Sequence, residues 1–239
     1  MRSFLCAMAA AVLSVLMCSG CGPRGPKSGG PEPRLVVVML DETGSYVKDL
    51  GLWEPSRELA CSLVGALQPG DAFCLIGMDA TPYEAQDVRV ELTTLPASTL
   101  AAAVKRRELQ KRVEKLEPRE SVGKGTPVTL AVAHAADLIS TQQGRYRPYL
   151  VIFSDMSEDP PKDGQLPKDV RSPIRLPAEC EVRALYVSEF GGREEFLQRT
   201  GHWEDVFRAW GVTRPVAIHG YANSGQAARD LIHQINMPG

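Results

Sequence analysis

An acid and two hydroxyls stand at alternate positions where an apolar run stops: Asp41, Thr43 and Ser45 follow Leu35–Leu40. Such a run reads as a β-strand buried on both faces, as in the middle of a parallel sheet covered by helices. Open α/β sheets bind their ligands at the carboxyl edge of the strands, which is where these three side chains fall. Two later segments supply similar groups. Gly123-Lys124-Gly125-Thr126-Pro127 presents Thr126 ahead of a helix, and the strand ending at Phe153 leads into Ser154-Asp155. Together Asp41, Thr43, Ser45, Thr126 and Asp155 offer two carboxylates and three hydroxyls. An all-oxygen set is a hard-cation site, and its size suits Mg2+, with Mn2+ or Ca2+ as alternatives. Five side chains, three of them neutral hydroxyls, leave one position of an octahedron open, so an acidic group from another molecule can complete the coordination.

These residues converge only if strands alternate with helices, and the sequence has that pattern. Leu35–Leu40 is the first strand. A helix with Pro55 at its start carries apolar residues at helical spacing over Glu58–Leu67, and Gln68-Pro69-Gly70 stops it. Ala72–Ile76 is a second buried strand, and Val88–Leu92 alternates as an edge strand does. A helix is predicted over Ser98–Leu116, with Leu109, Val113 and Leu116 facing inward. Its basic run from Lys105 to Arg112 is interleaved with Glu108 and followed by Glu114, so it reads as a solvated face with i,i+4 pairing. Further expectations are a helix over Val128–Ile139, strands at Tyr149–Phe153, Glu181–Val187 and Pro215–Ile218, and helices over Arg193–Trp210 and Asn223–Ile235. The fold class is therefore α/β: a Rossmann-like, mostly parallel central sheet flanked by helices on both faces, with one edge strand antiparallel.

The order Asp-x-Thr-x-Ser on the first strand, Gly-x-Gly-Thr-Pro before a helix and an aspartate ending a later apolar strand resembles a von Willebrand factor type A (vWA) domain. The resemblance covers Arg34–Ile235. In that family these positions form a metal-ion-dependent adhesion site (MIDAS), which implies Asp41, Thr43, Ser45, Thr126 and Asp155 as its metal set here. It also implies a function in protein–protein adhesion or assembly, with a partner's Asp or Glu captured by the bound metal. Thr43 stands where serine is usual; its hydroxyl can still ligate, while the added methyl crowds the pocket. The alternative expectation is a structural scaffold whose site holds no metal.

Catalytic patterns are missing. A haloacid dehalogenase-type site needs a second aspartate where Thr43 sits. Gly123–Thr126 lacks the GxxxxGK[ST] order of a phosphate loop, and no G-x-S-x-G elbow occurs. His134, His202, His219 and His233 show no HExxH spacing. The expectation is a binding protein and not an enzyme. A net charge of −2 in 239 residues gives no electrostatic reason for a nucleic-acid partner.

The amino terminus has a different logic. Arg2 precedes an uninterrupted apolar and small stretch from Phe4 to Met17, too short to span a bilayer and suited to a signal peptide. The following Cys18-Ser19-Gly20-Cys21 resembles a bacterial lipobox, departing from it only in Cys18 where leucine is usual. That implies lipidation of Cys21, membrane association through the lipid, and a place in the cell envelope on the periplasmic or surface side. Residues 1–20 are then the signal, 21–33 a Pro/Gly-rich tether and 34–237 the folded domain. The domain keeps Cys61, Cys74 and Cys180, whose spacing fits no zinc pattern. Cys74 reads as a buried small hydrophobe; a Cys61–Cys180 bridge is permitted and not required.

Overall fold

The computed structural model describes residues 32–78, 88–119, 128–157, 173–189 and 191–237. The segment expected to be a leader, Cys21 and the expected spacer up to Pro31 lie outside them, as does Thr126.

The first strand, β1 (Arg34–Asp41), is buried at every position. It is followed by a π turn (Ser45–Asp49), α1 (Trp53–Ala66), β2 (Ala72–Met78), β3 (Val88–Thr94), α2 (Thr99–Glu114) and α3 (Val128–Thr141). The chain continues through β4 (Arg147–Phe153), β5 (Glu181–Val187), α4 (Gly192–Ala209), β6 (Ala217–Gly220) and α5 (Tyr221–Asn236). The sheet order is β3-β2-β1-β4-β5-β6. All pairings are parallel except β2–β3, so the edge strand expected to be antiparallel is so.

Strand alternation divides the core in two. Leu35, Val37 and Met39 of β1 face a layer built with α3 and α4, through Val132, Ile139, Trp203 and Phe207. Val36, Val38 and Leu40 face the layer of α1, α2 and α5, through Leu63, Leu109, Val113 and Leu231. Covering both faces is what allows β1 to carry no polar side chain before its last residue, apart from Arg34 at its start. Burying each of these Val and Leu side chains contributes about 1.5–3 kcal/mol.

Element ends differ from the sequence expectation where backbone chemistry decides. Helix α1 starts at Trp53, two residues before Pro55, which is tolerated because N–H groups in the first turn have no intrahelical acceptor. Strand β6 begins at Ala217 rather than Pro215, and α2 ends at Glu114, with Leu116 only partly buried against the core. The π turn has no apolar period and was not legible.

Asp71 joins three elements at the amino edge of the sheet. Its Oδ1 accepts the Arg34 N–H at 2.8 Å and its Oδ2 accepts the Gln68 N–H at 2.8 Å. Asp71→Asn can satisfy only one of these donors, so it should destabilise the domain by about 1–3 kcal/mol in urea unfolding.

Cys61 packs on the α1–α2 side of the sheet and Cys180 on the α3–α4 side, so the sheet separates them; Cys61, Cys74 and Cys180 are free thiols. Burial pushes Cys74 and Cys180 up to about 12, and burial with the adjacent Glu114 pushes Cys61 up to about 11. A raised thiol pKa keeps the unreactive protonated form at pH 8. Iodoacetamide at that pH should therefore leave all three unmodified in the native protein and label all three after unfolding, read by peptide mass spectrometry. The rate at Cys61 should climb only as the pH nears 11.

Candidate metal-binding edge

The site lies at the carboxyl ends of β1 and β4, the central pair of the sheet. Chain connections leave β1 towards β2 on one side, while β4 lies on the other; this is the switch point at which open α/β sheets form a crevice.

Asp41 is the last residue of β1 and is fully buried. Its Oδ1 accepts from the Thr43 backbone N–H at 2.9 Å and from Thr43 Oγ1 at 2.6 Å. Its Oδ2 accepts from Ser154 Oγ at 2.7 Å. Ser154 Oγ in turn accepts the Met156 N–H at 3.0 Å, which fixes the turn after β4. Burial holds the Asp41 carboxyl up at about 6 against the lowering effect of the Thr43 and Ser154 hydrogen bonds, and the neighbouring Asp155 charge pushes the same way as burial.

Thr43 Oγ1 donates its proton to Asp41, so the hydroxyl presents an oxygen acceptor towards the edge. Ser45 Oγ lies 3.4 Å from Thr43 Oγ1, and Ser45 is exposed while Thr43 is buried. Two oxygens on adjacent corners of an Mg2+ octahedron stand about 2.9 Å apart for bonds of 2.0–2.1 Å, so a small side-chain rotation suffices. Asp155 is 6% exposed; its Oδ1 accepts the Ser157 N–H at 3.0 Å and its carbonyl accepts the Ser188 N–H at 2.9 Å. An Asp155 carboxylate close enough to raise the proton affinity of Asp41, beside two hydroxyls, makes a donor set that fits a hard divalent cation. Among the described residues there is no cluster of three or more His, Cys, Asp or Glu side chains arranged for a metal, so the hydroxyls are indispensable to the fit.

Four of the five predicted ligands, Asp41, Thr43, Ser45 and Asp155, thus share one edge. Thr126, the fifth, lies outside the described residues. Helix α3 begins two residues after it, at Val128. The short turn from Thr141 to Arg147 puts the other end of α3 at the strand starts, so its first turn sits at the edge where β1 ends.

Sequence reasoning missed two residues here. Ser154 had been noted only as the neighbour of Asp155, yet it holds the second oxygen of Asp41. Glu42, also buried, turns away from Asp41 and receives Arg89 of β3 and the Arg119 N–H at 3.0 Å. Arg89 also donates to the Glu117 carbonyl at 2.7 Å, so the pair fixes the chain leaving α2 to the end of β1. Gly77 on β2 makes room for this carboxylate, since a Cβ there would fall on it. Opposite, the rings of Phe153, Tyr186 and Tyr221 form a tilted aromatic row with centroids 6.3 and 6.5 Å apart.

No protein-family profile matches the sequence, and neither does any of the curated proteins. Solved structures do match. The von Willebrand factor type A protein from Catenulispora acidiphila superposes with a TM-score of 0.54 at 14% identity, over 86% of this chain. The present chain spans only 43% of that protein's length. An aerotolerance-related membrane protein from Bacteroides fragilis matches at 16% identity and a TM-score of 0.50, covering 85% of this chain and 98% of the other. The pilus adhesin SpaC from Lactobacillus rhamnosus GG matches at 11% identity and a TM-score of 0.52, over 89% of this chain and 31% of its own. At such identities the likeness concerns the fold: strand order, antiparallel edge and helical layers make this chain a vWA-like α/β domain.

Proposed function

We propose that this protein is an envelope-anchored, metal-dependent protein-binding module. Mg2+ is held by Asp41, Thr43, Ser45, Thr126 and Asp155, and an Asp or Glu side chain from a partner protein completes its coordination. The observation that carries the reading is the convergence of Asp41, Thr43, Ser45 and Asp155 at the carboxyl edge of β1 and β4, with the Asp41 carboxylate oriented by Thr43 and Ser154. The metal would supply an electrophilic coordination position; the chain's own residues orient the hydroxyls and hold two anionic groups together. The reading assigns no catalytic step. A pilus adhesin and a membrane protein among the similar folds support an adhesive role at the envelope, and Cys21 is the proposed lipid attachment.

One observation favours a second reading, a scaffold lipoprotein without metal: Asp41 already receives three hydrogen bonds from protein donors. Calorimetric titration of the full chain with Mg2+ and Mn2+ separates the two. Saturable heat is expected, and its absence removes the metal mechanism. Thr43→Ser should leave the affinity within about threefold of wild type if the native hydroxyl already ligates. A large gain in affinity would show that the threonine methyl obstructs the site.

A further inference from the structure

Helix α2 takes no part in this account, although it concentrates charge. In a chain of net charge −2 it carries five cations against two carboxylates over its 16 residues. The sequence presents this run as a solvated face; the structure adds that the face is also apolar. Leu100 is 78% exposed and Val104 53%, and they lie on one line with Arg107 and Lys111 at helical spacing. Lys105 beside them pairs with Glu108 at 3.1 Å. Exposed apolar residues interleaved with cations along one helix are the pattern of an interfacial helix.

The helix also sits at a particular end of the domain. Leu95 donates to the Asp71 carbonyl and Arg106 donates to the Leu67 carbonyl at 2.5 Å, so the first half of α2 lies at the amino edge of the sheet. The chain preceding Arg34 joins β1 at that same edge, through the Asp71 contact. Twelve residues separate Cys21 from Arg34, a stretch that spans at most about 47 Å. Asp41, at the far end of β1, is about 23 Å from Arg34 at 3.3 Å per residue.

We propose that the outer face of α2 docks on an anionic phospholipid surface. Leu100 and Val104 enter the headgroup region, and Lys105, Arg107, Lys111 and Arg112 meet lipid phosphates. The inference rests on the reading of Cys21 as a lipid anchor, which brings this face within reach of a bilayer. Its consequence is an oriented domain lying along the bilayer, since α2 runs from the amino edge at Leu95 to the carboxyl edge, where Arg89 holds the Glu117 carbonyl.

The test uses the full chain purified from membranes and reconstituted into vesicles of phosphatidylcholine alone or of equal parts phosphatidylcholine and phosphatidylglycerol. Lysines are labelled with an amine-reactive reagent and each site is quantified by peptide mass spectrometry. On anionic vesicles, labelling at Lys105 and Lys111 should fall about fivefold. It should recover in high salt and in the Leu100→Ser/Val104→Ser variant, while Lys48, exposed near the opposite edge, stays unchanged. Equal labelling on both vesicle types overturns the docking and leaves the anchor standing, as when the helix serves an acidic protein instead. An equal fall at Lys48 marks non-specific coating and overturns it too. Failure of the chain to associate with either vesicle overturns anchor and docking together.

Discussion

Asp41→Asn is expected to lower the affinity for Mn2+ or Mg2+ by about 10- to 100-fold while the domain stays folded. Asparagine is isosteric, so its Oδ1 keeps the Thr43 N–H and hydroxyl donors. Its Nδ2 faces Ser154 Oγ, which changes from donor to acceptor. The Ser154 proton then loses its acceptor at a cost of about 1 kcal/mol. That cost is offset because the variant no longer buries an anion. Metal-free unfolding in urea should thus give equal or higher stability than wild type, and calorimetry should give little or no metal heat. Wild-type metal affinity in this variant would remove Asp41 from the site. Asp41→Ala separates the effects from the other direction, since it strands three donors and should lose stability as well as metal.

Arg89→Ala is expected to destabilise the domain by about 3 kcal/mol, because it removes the guanidinium paired with the buried Glu42, although the Arg119 charge still acts on it. The Glu42 side chain is fully buried and Arg89 only slightly exposed, so water cannot replace the guanidinium. The Arg119 N–H still donates at 3.0 Å and the Arg119 charge still acts on Glu42, so part of the compensation survives. Adding Glu42→Gln to Arg89→Ala removes the stranded anion and should recover part of the loss. A double-mutant cycle in urea measures the coupling; additive effects would show that the two side chains do not act as a pair.

The layered architecture was legible in the sequence because its signals are local. Leu35–Leu40 is apolar without interruption, and Val88–Leu92 alternates, which separates the middle of a sheet from its rim by composition alone. The placement of the candidate site's oxygens at one sheet edge was legible for a related reason: Asp41, Thr43 and Ser45 follow a strand directly, and Asp155 follows another. What the residues could not announce was pairing across the chain. Ser154 and Asp41 are 113 positions apart, and Glu42 and Arg89 are 47 apart. Nothing in either neighbourhood indicates which hydroxyl will take the second oxygen of Asp41, or which arginine will neutralise Glu42. The left-handed backbone at Tyr186, φ 64°, is equally non-local. It is stabilised by Ser224 Oγ on α5, which accepts the Tyr186 N–H at 2.6 Å and so bends β5 out of register before β6.

The Arg34 guanidinium donates to the Ile235 carbonyl and, at 2.7 Å, to that of Met237. One side chain at the start of β1 therefore clasps the end of α5, and the two extremities of the domain emerge side by side. A fluorescent reporter or affinity handle fused beyond Met237 would project from the end remote from Asp41. Metal titration, and capture of the proposed acidic partner, should then proceed unhindered in such a fusion, whereas a handle inserted after Asp49 would stand in the way.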